Sequence, residues 1–487
     1  MLVWFRSDLR THDNRALHEA VKYSRLTGAR LEAIYCLGSD EIIKQNLGAV
    51  RIDFILRTLK FLQSALSALH IPLAFFSFPD IVDYLPKYCK ESGVDSVFFN
   101  KECDPVAMIR DESIKKAFDL NGISYQDFTD QCIVQEGFVL TKMGKPYAMF
   151  TPFKNTWLQY LRENPVKLIG KPDKVDQKIS EAPVTIPSSL KGYEIGKECD
   201  VASIMENFPA GEEAAIDKLD RFLEETGKLY KDTRNFPAIK GTSMISPYLA
   251  IGAISPRFAF ELAGKANNGH LISGSEGLQT FIAELCWRDF YRHIMYHFPH
   301  ITKGEPFKSE AQNIEWRTGT EADCDFERWC NARTGVPIVD AAMNQLTRTG
   351  WMHNRLRMIV SMFLTKDLLI SWRRGEAWFA RHLIDYDWPS NNGGWQWSSS
   401  TGTDSQPYFR IFNPFTQSEN FDKNGIFIKK YLPELAKVPV SALHDPSGKL
   451  SAAEFSKVCP TYPKVIVDHS VARNAALEVF KQAFKKV

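Results

Sequence analysis

Residues 31–78, LEAIYCLGSDEIIKQNLGAVRIDFILRTLKFLQSALSALHIPLAFFSF, place two short apolar runs on either side of a long helical pattern. The runs at 31–37 and 72–78 have the length and composition of buried strands, and the segment from about 49 to 69 has helical periodicity. Similar runs at 2–5, 96–100 and 123–128 alternate with further helical patterns. This alternation predicts a doubly wound, Rossmann-like parallel sheet covered on both faces, over residues 1–130.

The rest of the chain divides into a connector and a second domain. Residues 131–205 lose the alternation, and from about 160 they become rich in Pro, Lys and Ser, as in ENPVKLIGKPDK, which predicts a long connector running over the surface. From residue 206 helical periodicity dominates, as in LQTFIAELCWRDFYRHIMYHF at 278–298. We therefore predict an α/β domain, a connector and an all-α domain over 206–487.

Composition and charge exclude several classes of protein. A hydrophobic content of 44% and a charged content of 24% are typical of globular proteins. No apolar run approaches the roughly 20 residues of a membrane helix, and the N-terminus has no signal-peptide pattern, so a cytoplasmic protein without membrane contact is expected. The nine scattered cysteines predict free thiols and no zinc. No G-x-G-x-x-G or Walker sequence follows a predicted strand, which argues against a dinucleotide or ATP there.

With a net charge of only +2, a nucleic-acid surface would have to be a local basic patch. The stretch from 341 to 381 is the candidate, because it is rich in Arg and Lys with tryptophans between them. Solvated helix faces are the more usual explanation of such a run of charge, and the tryptophans among the charges weaken that explanation only modestly.

Two predicted helices carry mixed polar and aromatic faces. In FIAELCWRDFYRH, Glu284, Trp287 and Arg288 share a face, which fits either an exposed Glu284–Arg288 pair or the wall of a polar cavity. In TGWMHNRLRM (349–358), Asn354 and Met358 share a face with Arg357, while Trp351 and Arg355 share the next; core packing alone would account for Met358.

The stretch NNGGWQWSSSTGTDSQPYFRIFNP (391–414) is interpreted as a Gly/Ser-rich loop in which Trp395 and Trp397 need partners. In an extended backbone the two indoles would share a face, and in a helix they would diverge by roughly 200°. Before them, Asp385, Asp387 and Asn391 could cap a helix or turn, ligate a metal or hydrogen-bond a heterocycle. Metal is discounted because no further ligand stands at a suitable spacing.

Three hydroxyl residues, Thr242, Ser243 and Ser246, precede another apparent helix. They suit either a helix N-cap or a phosphate seat. Together with the aromatic faces, they suggest a flat aromatic ligand in the helical domain.

These segments resemble the DNA photolyase/cryptochrome family over essentially the whole chain. The resemblance rests on VWFRSDLRTHDN (3–14), FTPFKNTW (150–157), ELCWRDFYRH, TGWMHNRLRM and the stretch at 391–414. Within the family, the sequence is most similar to bacterial class I cyclobutane pyrimidine dimer photolyases. The (6-4) photolyases carry histidines in the helix where Asn354 and Met358 stand.

The resemblance implies FAD, active in its reduced form, and light-driven repair of cyclobutane pyrimidine dimers in DNA. An electron passes from the excited cofactor to a flipped-out dimer, whose ring then splits. The residues that match FAD-binding positions are Tyr230, Thr242, Ser243, Ser246, Arg288, Asp385, Asp387 and Asn391. By the same resemblance, Asn391 would approach flavin N5 and favour reduced flavin.

The resemblance also assigns substrate and electron-transfer positions. Those that match the dimer pocket are Glu284, Trp287, Asn354, Met358 and Trp397, and Glu284 would stabilise charge arriving on the bases. Those that match a path for electrons to the flavin are Trp395, Trp372 and Trp316. Those that match contacts to the DNA backbone are Arg234, Arg355, Arg357, Arg410 and Lys154.

The antenna and the sensory alternative stay open at this stage. Folate-binding relatives carry a Glu where Ala107 stands, although Lys303 matches their folate-contacting lysine, so methenyltetrahydrofolate, a deazaflavin or no antenna are all compatible. The alternative function is a cryptochrome-type blue-light sensor, which typically carries a long C-terminal tail; the chain ends soon after the motifs, which favours repair. A DNA- or RNA-binding module without catalysis is a further alternative, but it does not explain why the five dimer-pocket residues occur together. A monomer is expected.

Overall fold

The computed structural model describes residues 1–178, 184–405 and 407–485. Residues 179–183 of the predicted connector, Gln406 of the 391–414 stretch and the last two residues of the predicted helical domain lie outside the described residues.

The N-terminal part is a five-stranded parallel sheet with helices between its strands, which confirms the predicted fold. The strands run in the order β3-β2-β1-β4-β5. They are β1 (Leu2–Phe5), β2 (Glu32–Gly38), β3 (Leu73–Phe78), β4 (Ser96–Asn100) and β5 (Ser124–Phe128). The helices among them are α1 (Arg15–Thr27), α2 (Ser39–Gln45), α3 (Ala49–Ala68), α4 (Ile81–Glu91) and α5 (Pro105–Asn121).

The central strand β1 shows why its sequence is apolar throughout. Successive side chains of a strand point to opposite faces. Val3 and Phe5 belong to the main core, whereas Leu2 and Trp4 belong to a second core on the other face. Both faces of the sheet are therefore buried, as parallel sheets require.

After β5, the regular elements of the described residues are helices. They are α6 (Phe150–Glu163), α7 (Val201–Asn207), α8 (Glu212–Glu225), α9 (Tyr230–Thr233), α10 (Ser246–Ala250), α11 (Pro256–Ala266), α12 (Glu276–His297), α13 (Thr320–Cys330), α14 (Pro337–Thr349), α15 (Asn354–Met362), α16 (Trp372–His382), α17 (Trp388–Ser398), α18 (Pro414–Phe421), α19 (Ile426–Tyr431), α20 (Val440–Leu443), α21 (Pro446–Lys449), α22 (Ala452–Val458) and α23 (His469–Lys485). Short 3₁₀ turns and one π-helical turn, Phe363–Asp367, connect some of them. The all-helical prediction is confirmed. In the part of the chain that the structure describes, no helix is long and apolar enough to cross a membrane.

We expected the connector to run over the surface, but parts of it are buried. Val175 and Ile186 are buried in the main core, and the amide of Val175 donates to the carbonyl of Leu69 at 3.0 Å. These apolar side chains anchor the segment because exposing them to water would lose the free energy gained by burying their apolar surface.

A buried ion network joins the α/β part to the helices. The Arg257 guanidinium contacts Asp130 at 2.6 Å and Asp13 at 2.8 Å, and Arg10 pairs with the same Asp130. Because each charge has an opposite partner, the network fixes the relative placement of the two parts without leaving a bare buried charge.

The stretch that contains WQW is helical, so our prediction of a loop there is wrong. Asp387 caps α17 by accepting a hydrogen bond from the Ser390 amide at 3.2 Å. An added Cβ at Gly393 would overlap the ring of Tyr291, so tertiary packing selects a glycine that helix propensity disfavours.

The helix predicted in TGWMHNRLRM begins later than expected. Its N-cap is His353, whose ring nitrogen accepts from the Arg355 amide at 3.2 Å. Trp351 therefore precedes α15 and does not share a helical face with Arg355.

Candidate active site

A cavity of about 480 Å³ lies in the helical domain, bordered by α9, α10, α12, α15, α16 and α17. Its volume is within the range of small-molecule and cofactor sites. Every residue matched to FAD binding lies on its wall, and so does every residue matched to the dimer pocket. The wall also includes Arg234, Arg357 and Trp395.

The polar and aromatic face of α12 is a cavity wall. Glu284 pairs with Arg234, at the end of α9, rather than with Arg288, so the alternative of an exposed i,i+4 pair is wrong. Arg288 instead donates to the backbone carbonyls of Gln131 and Leu249. Both side chains are thus fixed by residues distant in sequence, which helical periodicity alone does not identify.

Two carboxylates on the wall are each held by an arginine. Arg357 donates to Asp385 Oδ2 at 2.7 Å, and Arg292 pairs with Asp387. Burial opposes the charged form of Asp387, but the neighbouring Arg292 and Arg288 outweigh it and lower the pKa of this carboxyl. Sequence reasoning missed Arg292, although its position four residues after Arg288 on the same helix was a usable signal.

Thr242 and Ser243 precede α10 and Ser246 is its first residue, but none of the three caps that helix. Its N-cap is Ile245, which makes no side-chain capping bond. Ser246 Oγ accepts a 3.4 Å hydrogen bond from Trp351 Nε1, and Thr242 and Ser243 also border the cavity. The cap interpretation is therefore wrong, and the hydroxyls remain available to a ligand.

Asn391 is held by the backbone of Glu376, a residue that the sequence did not single out as part of the site. Its Nδ2 donates to the backbone carbonyl of Glu376 at 3.1 Å, which leaves its amide oxygen available to the cavity. The Glu376 side chain accepts from Asn392 Nδ2 at 2.8 Å, and burial raises the pKa of Glu376 to about 7.

The three tryptophans of the predicted electron path occupy different environments. Trp395 is buried, borders the cavity and meets Phe379 edge-on at 5.0 Å. Trp372 is buried at the start of α16, and half-buried Trp316 meets Phe480 edge-on at 5.9 Å.

The predicted DNA-backbone residues do not all lie on open surface. Arg410 is exposed and Lys154 is half-buried on α6. Arg355 donates to Asn235 Oδ1 at 2.9 Å and lies over the Phe421 ring at 4.4 Å. By contrast, Arg357 points into the cavity toward Asp385.

Lys303, the predicted antenna residue, and Ala107, which stands where folate-binding relatives carry Glu, are not part of this cavity wall. Lys303 is exposed at the end of the 3₁₀ turn Pro299–Lys303, and Ala107 is fully buried on α5. The antenna therefore stays a prediction.

The fold and the site together define a class: a parallel α/β domain joined to a helical domain with a polar and aromatic cavity of cofactor size. Comparison with known proteins specifies the family. Residues 281–482 match the FAD binding domain of DNA photolyase, and residues 1–172 match the DNA photolyase domain.

Relatives match over the full length. The chain is 40% identical to the Escherichia coli deoxyribodipyrimidine photo-lyase, covering 99% of both chains, and 36% identical to that of Neurospora crassa, covering 99% of this chain and 82% of the relative. Among solved structures, it superposes on a class III photolyase from Agrobacterium tumefaciens with a TM-score of 0.85 at 32% identity, covering 100% and 98% of the two chains. It superposes on a Synechocystis cryptochrome with a TM-score of 0.84 at 26% identity, covering 98% of each. The chain belongs to the DNA photolyase family, and FAD is its cofactor.

The residues present on the wall fit FAD. Asp385 Oδ1 is buried and has no hydrogen-bond partner among the described residues, so it calls for a donor from a bound group. A Cβ added at Gly394 would meet only open space, which leaves room for a flat ring against α17. Arg288 and the hydroxyls of Thr242 and Ser243 supply donors suited to a diphosphate.

Proposed function

We propose that this protein is a deoxyribodipyrimidine photo-lyase that repairs cyclobutane pyrimidine dimers in DNA under light. The observation that carries the proposal is a single cavity that joins FAD-binding chemistry to a rim of Glu284, Trp287, Asn354, Met358 and Trp397. When bound and reduced, FAD supplies the electron that splits the cyclobutane ring on excitation by blue light.

On the cofactor side, the residues act by placing charge and hydrogen bonds. Asp385 and Asp387 are rigid acceptors because each is anchored by an arginine. We assign Arg357 to this side, since its guanidinium is bonded to Asp385 inside the cavity. Asn391 presents its amide oxygen as an acceptor for a flavin N–H.

On the substrate side, the rim offers flat walls and one anchored carboxylate. Trp287 and Trp397 are half-buried, so each has indole surface against which an extruded base can stack. Glu284 is held by Arg234, and its carboxylate accepts hydrogen bonds from base N–H groups. The anchoring limits its motion, so the acceptor is in place before the substrate arrives.

Around the rim, basic residues hold the DNA. Lys154, Arg234, Arg355 and Arg410 supply cations for backbone phosphates, which position the strand without reading its sequence. Selectivity for the dimer then comes from the cavity. We propose that the protein binds this DNA as a monomer.

Trp395, Trp372 and Trp316 form the proposed path for reducing oxidised cofactor. Their assignment rests on the family resemblance, with support from the position of Trp395 on the cavity wall. Indole side chains oxidise readily enough to pass an electron from the surface toward the cofactor.

The test is light-dependent repair by protein that carries chemically reduced FAD. An oligothymidine with cyclobutane dimers is added, and recovery of thymine absorbance is followed under blue light and in the dark. Recovery in light alone is expected. No recovery despite bound, reduced FAD would reject the proposal and favour a light sensor or enzyme for another lesion.

Two variants of α12 sharpen the test. Glu284→Ala should retain FAD and lower the repair yield several-fold, because the bases lose their anchored acceptor. The matched control is Glu276→Ala, which removes an exposed glutamate from the first turn of the same helix and should repair like the wild type. Equal repair by both variants would remove Glu284 from the proposed mechanism.

A further inference from the structure

Phe150 stacks flat against Trp287. The ring centroids are 3.6 Å apart and the planes differ by 8°. Phe150 is only 7% exposed, whereas Trp287 borders the cavity. Phe150 therefore covers the indole face turned away from the cavity and leaves the other face to a ligand.

A third ring, that of Phe290, packs edge-on against this stacked pair. Phe290 meets Phe150 edge-on at 5.8 Å and meets Trp287 edge-on at 5.6 Å. With one face covered and an edge blocked, the indole of Trp287 has little freedom to turn about its side-chain torsions. Its plane is thus set before any substrate binds.

Phe150 is itself held by the loop that follows α17. It is the first residue of α6, whose N-cap Met149 makes no side-chain capping bond. The Phe150 amide lies near the Asp404 carboxylate, and Thr403 Oγ1 donates to the Ala148 carbonyl at 2.5 Å. The loop after the Trp397 helix therefore anchors the ring behind Trp287, which couples both aromatic walls of the rim.

We propose that Phe150 is a positioning residue for substrate, fixing the Trp287 plane so that a damaged base stacks on its free face. The inference rests on the proposed repair of pyrimidine dimers. An indole that is free to turn must be ordered when substrate binds, and that lost freedom weakens affinity. Phe150 removes this cost in advance without touching the substrate.

The test compares Phe150→Leu with Phe150→Tyr and with a control on the same helix. Leucine fills much of the space but has no ring to stack, whereas tyrosine keeps the ring. The control is Phe153→Leu, because Phe153 is equally buried on α6 but packs on Phe290 and His293 rather than on Trp287. Each FAD-loaded variant is titrated with an oligonucleotide that contains one cyclobutane dimer and with the same oligonucleotide undamaged.

Phe150→Leu should bind the dimer about 3- to 10-fold more weakly, as expected for the loss of one aromatic pair. Binding of undamaged DNA should be unchanged, because phosphate contacts dominate it. Repair at saturating substrate by prereduced protein should stay near the wild-type rate, so KM rises while kcat does not. Phe150→Tyr and Phe153→Leu should bind the dimer within about twofold of the wild type.

Three outcomes would overturn the inference: unchanged dimer affinity in Phe150→Leu, an equal loss in Phe153→Leu, or an equal loss on undamaged DNA. Thermal unfolding of the three variants separates a folding defect from a substrate effect. Failure of the wild-type protein to prefer the dimer would instead reject the proposed function, so the two failures are distinguishable.

Discussion

Trp395 and Trp397 lie on different sides of α17, although only one residue separates them. Trp395 is 2% exposed and packs edge-on against Phe379 and Trp329, while Trp397 is half-buried. The helix makes this divergence because two residues advance roughly 200° around its axis. Both indoles border the cavity. One helix therefore brings a core tryptophan and a more exposed tryptophan to the same site.

The position of Trp395 depends on a glycine in the neighbouring helix. An added Cβ at Gly375 would overlap the six-membered ring of Trp395. Gly375→Ala should lower stability by roughly 1–3 kcal/mol, as overpacking does, and slow photoreduction of oxidised FAD by shifting the indole. Thermal unfolding and flavin absorbance under blue light measure the two effects. Gly264→Ala in α11 is the control, because a Cβ added at Gly264 would make only an ordinary contact at 4.0 Å. Equal stability and equal photoreduction of the two variants would contradict the expectation.

The proposed electron path predicts a separation between photoreduction and repair. Trp372→Phe should block photoreduction of oxidised FAD and spare repair by chemically reduced protein, because phenylalanine oxidises far less readily than indole. The control is Trp329→Phe, another buried tryptophan, which packs against Trp395 but lies outside the proposed path. Flavin absorbance and thymine recovery are followed in parallel. Loss of repair in prereduced Trp372→Phe would show that the two functions are not separate.

Local patterns predicted the sheet and placed Glu284, Trp287 and Arg288 on one face of α12, because strand and helix periodicities are encoded within short windows; they left open whether that face borders a cavity. They failed at α17, where Gly and Ser disfavour a helix and the stabilising contacts come from the Asp387 cap and from Tyr291 of another helix. The partners of Glu284 and Asp387 were also missed, since Arg234 and Arg292 are distant along the chain from them. Such pairs depend on how the helices pack, which a single sequence does not encode locally.

Glu376 should make stability fall as pH rises. Burial raises its pKa to about 7, so between its ordinary range and about pH 7 the folded protein binds a proton that the unfolded chain does not. The free energy of unfolding therefore decreases as pH rises across that window, by about 3 kcal/mol at most. Above the window the full decrease is present.

Glu376→Gln should remove that cost. The variant should unfold at a higher temperature than the wild type at pH 8, and the difference should shrink at pH 5, where the wild-type carboxyl is already neutral in the fold. Thermal unfolding of FAD-loaded protein at both pH values measures this. Glu419→Gln, at an exposed position of α18, controls for loss of one acidic residue. A difference that is the same at pH 5 and pH 8 would count against the expected titration.

Arg410 is exposed within the stretch at 391–414, so its proposed phosphate contact should be visible in the salt dependence of DNA binding. Each phosphate contact contributes about 0.7–0.9 to the slope of log affinity against log salt. Arg410→Ala should therefore make that slope shallower by about this amount, while the preference for dimer over undamaged DNA stays constant, because backbone contacts carry no lesion information. Binding titrations at several salt concentrations measure both quantities.

Lys90→Ala is the control, because it removes an exposed cation from α4 of the α/β domain and should leave the slope unchanged. If the two variants share one slope with the wild type, Arg410 does not hold a phosphate; if Arg410→Ala instead loses dimer preference, the side chain reads the lesion and belongs with the rim of the cavity.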